Sequence, residues 1–137
     1  MKKIILLFAI ALVVVSCEVS TPQPLSTKQI INIGVNKADW VESTDVNGQN
    51  RYYSCHFSMP EINSTIYNDG SVVVYYEENN AQQQLPYVRH FQNKAGDFWT
   101  QTVDFDYTKG GLDIYVTTSD FAAITPDGMN FRVVLMW

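Results

Sequence analysis

Seven short runs of alternating apolar and polar residues, separated by turn-forming residues, fill the chain after residue 28. Alternation with a period of two places apolar side chains on one face of a β-strand and polar side chains on the other. Seven strands joined by turns this short favour a single antiparallel β-sandwich, either immunoglobulin-like or jelly-roll-like. The predicted strands cover residues 30–35, 51–59, 71–77, 83–91, 98–107, 112–118 and 130–137.

The apolar faces of these strands predict the core. In the second run, Tyr53 and Cys55 alternate with Ser54 and His56, which places the Cys55 thiol among apolar side chains. The last strand alternates in the same way, and we expect it to lie at the centre of a sheet. The residues predicted to be buried are Tyr53, Cys55, Phe57, Val103, Phe105, Leu112, Ile114, Val116, Phe131, Val133 and Leu135.

Two segments depart from simple alternation. Pro86 lies inside the fourth run and has no N–H to donate, so that strand is expected to be an edge strand or to be bulged there. Residues 60–68 are predicted to form an arch. Ile62 and Ile66 are four positions apart in this arch, a spacing that favours a single helical turn.

The turn at residues 108–111 sets the register of a hairpin. It pairs Tyr107 with Leu112, and the next two apolar pairs then meet on one face, which supports this register. On the other face Asp106 lies directly opposite Asp113, and Asp104 lies two residues along. Like charges in that position repel each other, so the register predicts an acidic patch that must be compensated.

Water, Lys109, a cation from a neighbouring strand or a bound metal ion would each offset this repulsion. Calcium takes about 6–8 oxygen ligands, and the hairpin supplies three carboxylates. A solvated or cation-compensated patch is therefore the expectation. A metal site at Asp104, Asp106 and Asp113 is the weaker alternative.

The N-terminus predicts an export signal. Lys2 and Lys3 precede an unbroken apolar run at 4–15, which is followed by Ser16 and Cys17. Twelve helical residues cover about 18 Å, which is short for a hydrocarbon core of about 30 Å. Residues 1–16 therefore have the proportions of a signal peptide. An ordinary secretory peptide and an uncleaved anchor are the alternatives to the lipoprotein signal described next.

Residues 14–17 (VVSC) resemble a lipobox, the sequence read by bacterial lipoprotein signal peptidase. The resemblance implies a diacylglycerol on Cys17, removal of residues 1–16, and membrane attachment in the cell envelope, at the outer membrane or cell surface. Residues 17–27 are polar and contain prolines, as expected for a tether between the lipid and a domain at 28–137.

Charge narrows the range of partners. Removal of residues 1–16 takes away Lys2 and Lys3 and leaves 7 basic against 14 acidic residues, a net charge of −7. Proteins that bind nucleic acids carry basic patches, so a nucleic-acid partner is not expected.

The stretch from Trp40 onward resembles small, uncharacterised lipoproteins of Bacteroidetes-type bacteria. The residues that carry this resemblance are 51–53 (RYY), 68–70 (NDG) leading into 72–75 (VVVY), and 85–87 (LPY). The resemblance implies an envelope location and a β fold. It implies no activity and no site residues.

No catalytic or cofactor motif is present in the sequence. His56 and His90 have no metal-ligand spacing, and Cys55 has no activating base on its own face of the strand. With Cys17 assigned to lipid, Cys55 has no partner for an intramolecular disulfide. Residues 45–48 (DVNG) lack the spacing and the closing Glu of a calcium loop and are predicted to form a turn. We therefore expect a protein that is not an enzyme and needs no cofactor.

The aromatic residues support a binding hypothesis. Tyr52, Tyr75, Phe98 and Trp99 exceed what one core needs, and flat rings anchor sugars and protein partners. The function predicted is a binding module for glycan, peptide or protein. Alternatively, these rings cover a sheet, and the protein is a structural or assembly subunit that makes contacts through its C-terminal strand and the Pro86 edge.

Overall fold

The computed structural model describes residues 27–137, and these form two antiparallel sheets. The strands are β1 (Lys28–Val35), β2 (Val41–Thr44), β3 (Arg51–Ser58), β4 (Ser71–Glu78), β5 (Ala81–Gln84), β6 (Tyr87–Gln92), β7 (Phe98–Thr108), β8 (Gly111–Thr118) and β9 (Met129–Met136). A short α-helix, α1 (Ser64–Asp69), lies between β3 and β4, and a 3-10 helix (Lys37–Asp39) lies between β1 and β2. One sheet has four strands in the order β1-β9-β4-β5, and the other has five in the order β2-β3-β8-β7-β6.

The all-β sandwich predicted from alternation is confirmed, but it contains nine strands where the sequence predicts seven. One extra strand is β2, whose four residues are too few to show a period. The other arises because residues 83–91 are not one strand. The chain leaves the four-stranded sheet after Gln84, passes through a cis Leu85–Pro86 bond, and enters the five-stranded sheet at Tyr87. Pro86 therefore separates two edge strands.

The core lies between the sheets, and nine of the eleven residues predicted to be buried are buried. Phe57 and Phe105 are the exceptions, since both are half-buried and pack against the core without being enclosed by it. Five strands face four in this sandwich, so some inward-facing residues of the five-stranded sheet have no strand opposite them. The Cys55 side chain is buried, as predicted.

The last strand, β9, lies between β1 and β4, which confirms its predicted central position. Both of its edges are hydrogen-bonded to neighbouring strands. It therefore offers no free edge for strand addition, and its suggested role as an assembly contact stays a prediction for its outer face.

One end of the sandwich is closed by the segment between β3 and β4. Ile62 and Ile66 are 0% and 1% exposed, and α1 confirms the predicted helical turn. The Asn63 side chain caps this helix by accepting hydrogen bonds from the backbone N–H groups of Thr65 and Ile66. Gly70 follows the helix in a tight space, because a Cβ there would lie 2.6 Å from the Met136 carbonyl oxygen. We call this the closed end.

Residues 45–48 form the predicted turn. One Asp45 carboxylate oxygen accepts hydrogen bonds from the backbone N–H groups of Gln49 (3.0 Å), Asn47 (3.2 Å) and Asn50 (3.3 Å). These three hydrogen bonds lower the pKa of Asp45, and the bond from Gln49 has the largest effect. The carboxylate thus serves the turn itself.

The predicted signal peptide at residues 1–16, the predicted lipobox with Cys17, and the predicted tether as far as residue 26 lie outside the described residues. In the part of the chain from 27 onward, no helix has both the length and the apolar character needed to cross a bilayer.

Candidate functional site: an aromatic groove at the open end of the sandwich

A cavity of about 830 Å³ lies at the end of the sandwich opposite α1. The four-stranded sheet contributes Tyr76, Glu78 and Met129, and the five-stranded sheet contributes residues from β6, β7 and β8. The loop between β8 and β9, residues 119–128, covers one side. We call this cavity the open-end groove. Its volume lies within the range of about 300–1,000 Å³ that is usual for ligand sites.

Two aromatic rings from neighbouring strands border the groove. Phe91 on β6 is directly paired with Trp99 on β7, and their ring centroids are 5.6 Å apart with only 13° between the planes. Both side chains are half-buried. Phe98, the first residue of β7, also borders the groove and is 75% exposed. The groove is therefore bordered by a stacked aromatic pair and by a third, largely exposed aromatic residue.

The turn between β6 and β7 fixes this pairing. The Asn93 side-chain oxygen accepts hydrogen bonds from the backbone N–H groups of Ala95 (2.9 Å) and Asp97 (3.0 Å), and its amide donates to the Asp97 carboxylate (2.8 Å). Gly96 has φ +96°, a left-handed conformation that favours glycine. The turn therefore places both Asn93 and Asp97 at the groove.

Tyr76 forms the inner boundary of the groove. Its ring packs against Phe131 in its own sheet and against Tyr87 in the opposite sheet, each at 5.8 Å between centroids. Burial, followed by the negative charge of Glu78, raises the pKa of Tyr76. The Tyr76 hydroxyl therefore stays protonated at neutral pH.

The loop at 119–128 is held at both of its ends. At the start, the Ser119 hydroxyl oxygen accepts a hydrogen bond from the backbone N–H of Thr100 (2.9 Å). At the end, the Trp40 indole donates to the Asp127 carbonyl oxygen (3.2 Å), and Lys37 pairs with the Asp127 carboxylate (2.9 Å). Between them Phe121 has φ +50°, a conformation that is rare for a bulky residue and carries strain.

The ionisable side chains that line the groove are all acidic, apart from the Tyr76 hydroxyl: Glu78, Asp97, Asp120 and Asp127. Each carboxylate already has one partner. Arg89 lies 3.4 Å from Glu78, Lys37 pairs with Asp127, Asn93 donates to Asp97, and the Ala122 N–H donates to Asp120 at 3.3 Å. The groove thus offers carboxylate oxygens without a concentration of unpaired charge.

The four aromatic residues predicted from the sequence fall on three surfaces. Phe98 and Trp99 meet at the open-end groove. Tyr52 lies on the outer face of the five-stranded sheet, in edge-to-face contact with Tyr115 at 6.0 Å. Tyr75 lies on the outer face of the four-stranded sheet, where Arg132 and Gln84 are its cross-strand neighbours. The four residues therefore do not form one contiguous patch, and a ligand-binding role for Tyr52 and Tyr75 stays a prediction.

The predicted register of the β7–β8 hairpin is confirmed, since Tyr107 pairs with Leu112 and Asp106 pairs with Asp113. His56 on β3 lies opposite Asp113, with 2.9 Å between Nδ1 and the carboxylate. The Tyr115 hydroxyl donates to Asp106 at 3.1 Å. Compensation therefore comes from His56 on a neighbouring strand and from a hydroxyl.

Lys109 does not compensate the patch, because its ammonium lies 5.5 Å from the centre of the Tyr67 ring. Burial, followed by the charge of Asp106, raises the pKa of Asp104. Burial, followed by the hydrogen bond to Asp106, raises the pKa of Tyr115 to about 12. Within residues 27–137, no three acidic, His or Cys side chains are grouped so as to hold a metal ion, which argues against the weaker alternative at Asp104, Asp106 and Asp113.

The Cys55 thiol is poorly suited to act as a nucleophile. Burial, followed by the negative charges of Asp39 and Asp113, raises its pKa. The protonated thiol is unreactive, so the prediction that Cys55 is a small buried core residue agrees with its surroundings.

A second concavity, of about 670 Å³, lies beside the β4–β5 turn. Its lining is mainly amide and backbone, with Asn79, Asn80, Gln82 and Asn130, and its one aromatic residue, Phe131, is fully buried. This concavity therefore has no ring to offer a ligand, and the open-end groove is the better candidate.

Sequence reasoning missed Tyr76, Phe91 and the loop at 119–128 as parts of the site. Phe91 had a usable signal, because the short turn after it predicts that it faces Trp99. The contributions of Tyr76 and of the loop depend on how the two sheets face each other, and alternation carries no such information. Comparison with protein-family models, with curated proteins and with solved structures finds no match to this chain.

Proposed function

We propose that this protein is a lipid-anchored envelope lipoprotein that acts as a non-catalytic binding module, with the open-end groove as its binding site. The observation that carries this proposal is the stacked Phe91–Trp99 pair in a cavity of about 830 Å³ bordered by carboxylates and amides. Binding sites characteristically combine an apolar or aromatic wall with a few polar groups that fix orientation.

The proposed anchor is Cys17, on the evidence of the basic residues Lys2 and Lys3, the twelve-residue apolar run and the small residue Ser16. The resemblance to Bacteroidetes-type lipoproteins supports the same envelope address, at the outer membrane or cell surface. Attached acyl chains anchor a protein because each buried CH₂ contributes about 0.8 kcal/mol.

The direction of β1 fits an anchored binding module. The strand begins at Lys28, which pairs with Met136 at the closed end, and it finishes at Val35, which pairs with Met129 beside the groove. Eight residues at about 3.3 Å each separate these ends by roughly 25 Å. A tether entering at Lys28 would therefore join the domain at the end farther from the groove.

Lipid attachment is tested by Cys17→Ser. We expect the variant to be released from membranes, or to stay unprocessed, and to lose labelling by a palmitate analogue that marks the wild type. Cys55→Ser is the matched control and keeps the label. Labelling that survives in Cys17→Ser would contradict the lipoprotein assignment.

Binding at the groove is tested by capture of envelope components on the immobilised full-length protein. Trp99→Ala should lose the captured material, while Tyr52→Ala and Tyr75→Ala should keep it because their rings lie on the outer sheet faces. Equal capture by wild type and Trp99→Ala would reject the groove as the site.

A further inference from the structure

We propose that the ligand of the open-end groove is an uncharged oligosaccharide or a stretch of neutral polysaccharide. This inference rests on the proposed function, because it assigns a ligand class to the same groove. Four features of the groove carry it: the sign of its charge, the partners of its carboxylates, its amide and hydroxyl groups, and its aromatic residues.

The negative charge of the groove lining disfavours anionic ligands. Four carboxylates border the groove, and no Lys, Arg or His is among the described residues that line it. All four carboxylates are exposed to solvent, and their negative charge repels an anionic ligand that approaches them. Sulfated or uronic-acid-rich glycans, phosphorylated ligands and acidic peptides are therefore disfavoured.

The partners of the carboxylates argue against a cationic peptide as well. Glu78 is paired with Arg89 and Asp127 with Lys37, so two of the four negative charges are already offset. Asp97 accepts from the Asn93 amide, and Asp120 accepts from a backbone N–H. A Lys or Arg side chain would have to compete with these partners, whereas a hydroxyl needs only an acceptor oxygen.

The polar groups of the groove match hydroxyls in particular. Gln101, Thr118 and Thr125 supply amide and hydroxyl groups that donate and accept, and the carboxylates supply further acceptors. Sugar hydroxyls also donate and accept. A ligand dense in hydroxyls therefore satisfies this lining without leaving any charge unpaired.

The aromatic wall supplies the apolar part of recognition. The Phe91 and Trp99 rings are stacked on each other within 13° of parallel, so the pair offers its outer ring face and its edges to the groove, and the exposed Phe98 also borders it. A flat ring surface packs well against the C–H face of a pyranose. An oligosaccharide alternates such apolar faces with hydroxyl edges, which is the combination this groove presents.

The test uses full-length protein in detergent micelles against an array of neutral glycans (glucans, mannans, galactans and xylans) and acidic glycans (heparin, hyaluronan and polygalacturonate). We expect binding to at least one neutral glycan and none to the acidic set. Calorimetry should then show a loss of at least about tenfold in affinity for Trp99→Ala and for Phe91→Ala. Tyr52→Ala is the matched control and should stay within about twofold.

The dependence of affinity on ionic strength distinguishes a neutral ligand from a charged one. Raising the ionic strength from about 0.05 to about 0.5 M should leave affinity for the neutral glycan unchanged, because screening acts only on charges. Binding confined to acidic glycans, or no glycan binding at all, would overturn the inference.

The outcomes of this experiment distinguish a failure of this inference from a failure of the proposed function. Capture of an envelope protein or peptide that depends on Trp99, with no glycan bound, rejects the sugar assignment and keeps the groove as a binding site. If neither a glycan nor an envelope component depends on Trp99, both proposals fall. Circular dichroism of each variant confirms that lost binding does not come from unfolding.

Discussion

The two ends of the sandwich use the same strands and differ in what covers them. At the closed end, β7 reaches Tyr107, whose ring meets Tyr67 of α1 at 6.0 Å, and Ile62 and Ile66 complete an apolar seal. At the open end, β7 begins with Phe98 and Trp99, and the loop at 119–128 stands where the helix stands at the other end. The closed end is sealed by the buried Ile62 and Ile66, whereas the open end has a half-buried Trp99 beside a cavity.

This difference shows that the burial of an inward-facing side chain depends on what packs opposite it in the other layer of the sandwich. Trp99 and Val103 lie on the same inward face of β7, four residues apart. Val103 is completely buried because the opposite sheet covers it, and Trp99 is only half-buried. An apolar residue on the core side of a strand stays partly accessible where the opposite layer does not cover it.

The largest effect is expected from opening the closed end. Ile66→Ala removes a fully buried side chain and should lower the free energy of unfolding by about 2–5 kcal/mol, through lost burial and the cavity left behind. Urea unfolding measures this. Because the groove lies at the other end, affinity for the groove ligand should change little in the folded fraction. A loss below about 1 kcal/mol would show that this end is not sealed as described.

A smaller effect is expected from the matching change at the open end. Trp99→Ala should cost about 1–2 kcal/mol of stability, since the side chain is half-buried, and should remove ligand binding. Phe98→Ala, at 75% exposure, should shift stability by less than about 0.5 kcal/mol. If Trp99→Ala destabilises the fold as much as Ile66→Ala, Trp99 is part of the core and the contrast between the ends disappears.

The smallest effect concerns the acidic outer face, which belongs to neither end. The folded pKa of Asp104 is raised above its ordinary 3.8, so the folded state holds this proton more tightly than the unfolded state. Its contribution to stability is therefore lost as pH rises through the folded pKa. Asp104→Asn should match wild type near pH 3 and be more stable at pH 7 by about 0.2–1 kcal/mol, the range for cross-strand charge pairs. Asp45→Asn is the contrasting control.

Asp45 has a lowered pKa, so its contribution is present at neutral pH and fades as pH falls below about 4. Asp45→Asn should therefore lose stability at neutral pH, where Asp104→Asn gains it. Unfolding curves from about pH 3 to pH 7 measure both. Equal behaviour of the two variants would show that burial and the neighbouring Asp106 do not act on Asp104 as the structure indicates.

The features that could be predicted from the sequence are those that depend on local patterns, such as alternation and turn length. Alternation located most core residues, and the short turn at 108–111 fixed a hairpin register that is correct to the residue. The crossing between sheets at Pro86 was missed because alternation is the same on either side of it. Phe57 and Phe105 were placed on the correct face, but their half-burial depends on the width of the opposite sheet. The groove was missed for that reason too: it forms where one layer ends.

The central claim is that ligand binds at the open end, and hydrogen–deuterium exchange of the purified protein tests it most directly. The comparison is between free protein and protein saturated with the glycan or envelope component captured through Trp99. We predict slower exchange in residues 91–101 and 118–129, because both segments border the groove. Residues 59–70 lie at the other end of the sandwich, and we predict no change in their exchange. Protection confined to 59–70, or to the outer face around Tyr52 and Asp113, with residues 118–129 unchanged, would contradict the account.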